Sequence, residues 1–241
     1  MVQKMKTDFE QVMEELENLS SERTKKIYMS QGAREPLFGV ATGAMKPLVK
    51  KYHGNQKLAN ELYASENYDA MYFAGIIADI NTMSVANFDE WMENAYFYMI
   101  SDYIVAVTLA ETKFAQEVAD RWIQTSKELY ISAGYSCYCW LLGNKQDDYF
   151  DEFKLSKMLN KVKDTIQNAP NRAKYAMSSF VSTVGISYIP LHEKAYEVAQ
   201  LIGNVEVYTD DKKIKIISAK NEIDKAISKK RIGFKRKNVR C

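Results

Sequence analysis

The chain has 241 residues, long enough to bury a substantial core, which excludes a disulfide-stapled miniprotein. With 46% apolar and 27% charged residues, ten Gly and four Pro, the composition is neither disordered, collagen-like nor that of a turn-rich all-β protein. The 33 Lys and Arg against 31 Asp and Glu leave +2, yet eight of the bases lie between Lys225 and Arg240 and no acid follows Asp224. The other 25 bases face all 31 acids, so the positive charge is a terminal feature.

In chain order, Phe9, Val12, Met13, Leu16 and Leu19 recur at three and four and predict an amphipathic helix in an N-terminal helical cap over 1–30. The same periodicity predicts helices over 44–52, 58–64, 68–79, 95–110, 114–125 and 129–142. It returns over 150–166, 172–186 and 191–202. Pro36, Pro47, Pro170 and Pro190 suit helix starts or connectors, where a missing N–H costs little. Three stretches, from residues 61, 120 and 164, each read as a helix end, a polar turn and a helix with a small-residue face. Such hairpins cannot bury their apolar faces alone and stack into a solenoid; a compact helical bundle is the alternative. Residues 205–217 break the pattern, alternating apolar and polar about a turn-like centre, and predict a β-hairpin. It is either a packed ornament or a projecting element that touches nucleic acid. The basic segment 225–241 closes what reads as a single domain over 1–241.

Other chemistries find little support. Cys137, Cys139 and Cys241 neither pair evenly nor follow a zinc or redox spacing, and His53 and His192 stand alone, so no metal or cofactor is expected. Gly39-Val-Ala-Thr-Gly43 is neither a dinucleotide fingerprint nor a P-loop. Free thiols and the lack of a membrane-length apolar run point to a cytoplasmic protein with no membrane partner.

REPLFGVATGAMKPLVKKY, LANELYASENYDAMYFAGIIAD, WMENAYFYMISDYI, NRAKYAMSSFVSTVG and the ending RIGFKRKNVRC together resemble the DNA alkylation repair family, the AlkD-like HEAT-like-repeat alkylpurine DNA glycosylases. The ending is more similar to their non-glycosylase, AlkF-type relatives. The resemblance covers about residues 30–241. It implies an all-α HEAT-like solenoid carrying one short hairpin, with a concave cationic face that cradles DNA by neutralising phosphates. Candidate cations are Lys46, Lys50 and Lys51; Lys154, Lys157, Lys161 and Lys163; Arg172 and Lys174; Lys212 and Lys213 in the hairpin; and Lys235, Arg236 and Lys237 in the tail, which either tracks phosphates or docks on the acidic body.

The resemblance also implies a catalytic constellation: Trp-x-x-x-Asp on one helix, a later Arg and a second Trp. Tyr98 and Asp102 occupy the first pair, Ser132 stands at the Arg position and Phe180 at the second Trp. The carboxylate would stabilise positive charge developing on deoxyribose, but Tyr is the weaker cation–π partner and Ser cannot fork a phosphate. Asp102 reads alternatively as a structural acid that caps a helix or accepts from Tyr hydroxyls. The expectation is therefore a monomeric DNA-binding protein that recognises damaged, bent or branched duplexes without excising a base. An active alkylpurine glycosylase using Asp102 is the alternative, and a helical-repeat protein scaffold is the third reading.

Overall fold

A computed structural model of the protein describes residues 6–208 and 213–239. The chain divides into two compact units, Met1–Thr108 and Leu109–Cys241.

The first unit holds α1 (Asp8–Asn18), α2 (Glu22–Ser30), α3 (Lys46–Tyr52), α4 (Gln56–Ala64), α5 (Tyr68–Ile77), α6 (Val85–Glu93) and α7 (Tyr98–Ile100). A π-helical turn, Ser101–Val105, follows and runs into α8 (Ala106–Leu109), which leads into the second unit. Thr7 and Glu10 close a reciprocal capping box on α1, and Ser84 with Asn87 does the same on α6, satisfying helix N–H groups that would otherwise lack partners. α5 packs against α1, α3, α4 and the π turn, and nearly every one of its side chains is buried. Gly75 lets the π turn approach, since a Cβ there would lie 2.7 Å from Ile104 Cγ2. Aromatic rings fill the rest. Tyr68 meets Tyr28 at 4.9 Å and Phe97 at 5.3 Å, and Tyr63 stacks on Trp91 at 4.3 Å.

A carboxylate ties this unit's longest loop to its central helix. Asp69, fully buried in the first turn of α5, accepts from the backbone N–H groups of Phe38 (2.6 Å), Gly39 (2.9 Å) and Val40 (2.8 Å). Three successive amides can converge on one anion only if the chain curls, and Gly39 supplies the bend with φ +82°. A Cβ there would also strike the backbone of Lys25 at 2.5 Å.

The second unit holds α9 (Ala115–Ile123), α10 (Glu128–Leu142), α11 (Glu152–Thr165), α12 (Asn171–Ser187), α13 (His192–Ile202), β1 (Val205–Tyr208), β2 (Ile214–Ile217) and α14 (Ala219–Ser228). α10, α12 and α14 pack in that order, with α9 on α10, α11 on α12, and α13 on both α12 and α14. Small residues set the spacing: a Cβ on Gly134 would lie 2.8 Å from the Ala119 carbonyl of α9. The two strands pair antiparallel, with Val205 opposite Ile217 and Tyr208 opposite Ile214. Val205 and Val207 are buried where β1 packs on α12, so the hairpin gains from docking the stability that two strands alone lack.

Candidate nucleic-acid interface

α12 carries basic elements at both ends. At its N-terminus, Asn171 Nδ2 donates to the Tyr208 carbonyl at 2.7 Å while Tyr208 N–H donates to Asn171 Oδ1 at 2.5 Å, fixing the hairpin to the helix. One turn on, the Tyr175 ring lies 4.4 Å from the Arg172 guanidinium and 5.3 Å from Lys215 Nζ of β2, so two cations share one aromatic. Beside them is a cleft of about 250 Å³ whose lining includes Ser178, Ser179 and Ser182 of α12, Lys215 of β2 and Asn221 of α14. The hairpin's outer face presents Tyr208, Ile214 and Ile216, each more than half exposed.

At the other end the basic tail crosses the C-termini of α12 and α10. Gly233 N–H donates to the Ile186 carbonyl at 2.7 Å and Arg236 N–H to the Gly143 carbonyl at 2.6 Å. Lys235 Nζ donates to the Leu142 carbonyl at 3.0 Å and pairs with Asp147 at 2.8 Å, and the Arg236 guanidinium lies 5.1 Å from the Trp140 ring. The final carbonyls of α10 have no partner within the helix and carry its negative dipole end, so cations dock there. Of the two fates open to the tail, residues 233–236 dock on the body, and Lys235 is spent on it. Lys229, Lys230, Arg231, Arg236 and Lys237 remain exposed. Asn171 and Ile186 lie fifteen residues apart on α12, which separates the hairpin from the tail by about 22 Å along the axis.

The remaining sequence-predicted residues fall into several places. Lys174 lies half-buried near the start of α12, and Lys213 is exposed just before β2; Lys212 lies outside the described residues. Lys154, Lys157 and Lys161 share one face of α11 and meet α9, where Lys154 pairs with Asp120 at 2.5 Å; Lys163 pairs with Asp164. Lys46, Lys50 and Lys51 lie exposed on α3, Lys51 paired with Glu15 at 3.3 Å. Phe180 is fully enclosed between the Tyr135 and Tyr138 rings at 5.4 and 6.0 Å, and Ser132 is fully enclosed in α10, so both pack rather than face a ligand.

Tyr98 and Asp102 sit across a turn wider than the α-helix their spacing predicts. Asp102 is 2% exposed and accepts from the Ser101 hydroxyl at 2.8 Å, whereas Tyr98 is half-exposed with its ring edge-on to Tyr103. Burial pushes the Cys137 thiol up, which keeps it protonated and inert. Among the described residues no three His, Cys, Asp or Glu side chains stand together in a metal-holding arrangement, and no helix is long and apolar enough to cross a membrane.

A family model described as DNA alkylation repair enzyme matches residues 12–201. The chain belongs to this family. The match takes in Asp102, Tyr98, Tyr175, all of α12 and nearly all of α13, and stops before the hairpin and the tail. The uncharacterised protein Lin0241 of Listeria innocua serovar 6a is 28% identical over 225 residues, covering 90% of this chain and 96% of its own length. Lmo0209 of Listeria monocytogenes serovar 1/2a shows the same identity and coverage. A solved structure described as "a new family of proteins related to the HEAT-like repeat DNA glycosylases with affinity for branched DNA structures" is 61% identical. It covers 98% of this chain and 100% of its own, with a TM-score of 0.94. The fold is thus a HEAT-like helical repeat with one added hairpin.

Sequence reasoning missed Tyr175, Lys215 and Ser179. The signal for the first was present, because Arg172 and Tyr175 are spaced i, i+3 and share a helix face. Lys215 becomes visible only once the strand register sets it beside α12.

Proposed function

We propose that the protein binds branched or otherwise distorted DNA through the α12 face of its second unit, without excising a base. The observation that carries this reading is the pairing of Arg172 and Lys215 on Tyr175 beside a hydroxyl-lined cleft, with further exposed cations along the tail. The 22 Å between hairpin and tail corresponds to about six phosphate steps of 3.4 Å, enough for several contacts along one strand. Cations that touch only phosphates do not read bases, so selectivity falls to the geometry of the DNA. The half-exposed Tyr208, Ile214 and Ile216 offer apolar surface to bases unstacked at a branch. The 61% identical relative is described as having affinity for branched DNA structures, which supports the same reading here.

Gel-shift titrations of four-way, bulged and linear duplexes at two salt concentrations test it. The expected result is tighter binding to the four-way form and, for Arg172→Ala or Lys215→Ala, a salt slope lower by about one per phosphate contact removed. Equal affinity for all three forms, or mutant slopes matching wild type, refutes it.

The buried Asp102, kept where the family's carboxylate stands, favours a second reading as an alkylpurine glycosylase. Free methylpurine released from methylated DNA by the wild type and not by Asp102→Asn would establish it. On the first reading neither protein releases base.

A further inference from the structure

A recess of about 440 Å³ opens between α9, α10 and α11 and shares no lining residue with the α12 cleft. Its walls include Lys154, Lys157 and Lys161 of α11, the exposed ring of Phe153, Asp120 and Asp151, and the buried Tyr135 of α10. The charges divide unequally. Asp120 is committed twice, accepting from the Tyr138 hydroxyl at 2.6 Å and pairing with Lys154, while Asp151 caps α11 by accepting from Lys154 N–H at 3.1 Å. Lys157 and Lys161, one helical turn apart on the same face, make no ion pair among the described residues. Two like charges held side by side repel, and an anion placed between them relieves that repulsion.

A second observation is independent of the lysines. Tyr135 is 1% exposed, and its hydroxyl has no hydrogen-bond partner among the described residues. A buried hydroxyl without a partner is costly, and one in the wall of a recess marks where a ligand acceptor fits. Burial pushes the Tyr135 phenol up to about 12, so at neutral pH it is a donor. Phe153, 68% exposed with Lys157 Nζ 4.2 Å from its ring centroid, sets an aromatic face beside a cation.

We propose that this recess binds a nucleotide unit, its phosphate on Lys157 and Lys161, its base against Phe153, and an acceptor of the base or sugar taking the Tyr135 hydroxyl proton in a hydrogen bond. The proposal goes beyond the α12 interface and does not depend on it. A free nucleotide and an unpaired nucleotide at a DNA end share this chemistry.

The test is calorimetric titration of the full chain at low salt with dAMP, deoxyadenosine and inorganic phosphate. dAMP is expected to saturate one site, with the nucleoside and phosphate each at least about tenfold weaker because each lacks half the contacts. Lys157→Gln/Lys161→Gln, two surface changes that leave the fold intact, should weaken dAMP about tenfold or more, and Tyr135→Phe about threefold or more. A duplex with a single-stranded 5′ tail that displaces dAMP identifies the occupant as an unpaired DNA end. A tailed duplex that leaves dAMP bound identifies it as the free nucleotide. Absence of saturation at millimolar dAMP, or saturation unchanged in both variants, overturns the proposal. Four-way DNA affinity of the double Gln variant, expected to stay within about twofold of wild type, keeps the two interfaces distinguishable.

Discussion

Replacing Asp69 with Ala removes an acceptor from three backbone N–H groups at once, two of them buried beneath the 38–40 loop. A buried donor left unsatisfied costs about 1–3 kcal/mol, and bonds to a charged acceptor are at the stronger end. With the Phe38 amide able to reach water, the expected loss is about 3–6 kcal/mol, a large part of the 5–15 kcal/mol that holds a typical domain folded. Asp69→Asn is the sharper probe. Oδ2 serves Phe38 and Gly39 while Oδ1 serves Val40, so the amide can keep the first pair but must aim an NH₂ at the Val40 N–H. The expected loss is about 2–4 kcal/mol, still destabilising although shape is conserved. Urea unfolding gives the energies directly. Thermal midpoints should fall by about 2–4 °C per kcal/mol for a chain of this size. A loss under about 1 kcal/mol for the Ala variant would refute the reasoning, because those amides would then have found other acceptors.

Gly134→Ala should destabilise by about 1–3 kcal/mol, and Gly185→Ala by less. The new methyl meets the Ala119 carbonyl at 2.8 Å in the first case and the mobile tip of Ile223 at 2.6 Å in the second, so equal losses on denaturant unfolding would contradict the packing described. Burial raises the Tyr28 and Tyr135 phenols to about 12. Their protons are held more tightly in the folded chain, so stability is level below pH 10 and falls between pH 10 and about 12, as the unfolded chain ionises first. Tyr135 alone accounts for a loss of about 2–3 kcal/mol across that window, and a flat stability curve there would refute it. Lys235→Ala should free the tail, seen as faster amide exchange at Gly233 and Arg236, while Arg231→Ala should leave both protected.

The helices were legible because their apolar stripes repeat at three and four, and the hairpin because its period is two. Phe180 shows the same signal outweighing a positional analogy: Ala173, Met177, Phe180, Val181 and Val184 are all buried at helical spacing, and the ring belongs to that stripe. The Asp69 cradle was not legible, since an acid in a first helical turn looks like an ordinary dipole partner and Gly39 like a failed nucleotide motif. Only the fold brings residues thirty positions apart to hydrogen-bonding distance. The tail's charge could be read from the sequence, but its docking depends on where the last carbonyls of α10 emerge. Lys154, Lys157, Lys161 and Lys163 were legible as cations of one helix, yet no periodicity says which neighbour they meet.

α12 works as a ruler with a fitting at each end. Deleting one residue from its middle would shorten the span by about 1.5 Å and swing the hairpin by about 100° about the axis relative to the tail, so under the proposed DNA-binding role the two could no longer address the same strand. Relatives that keep both fittings should therefore tolerate length changes in this rod only in near-whole turns, whereas the loops on either side of it are free to drift.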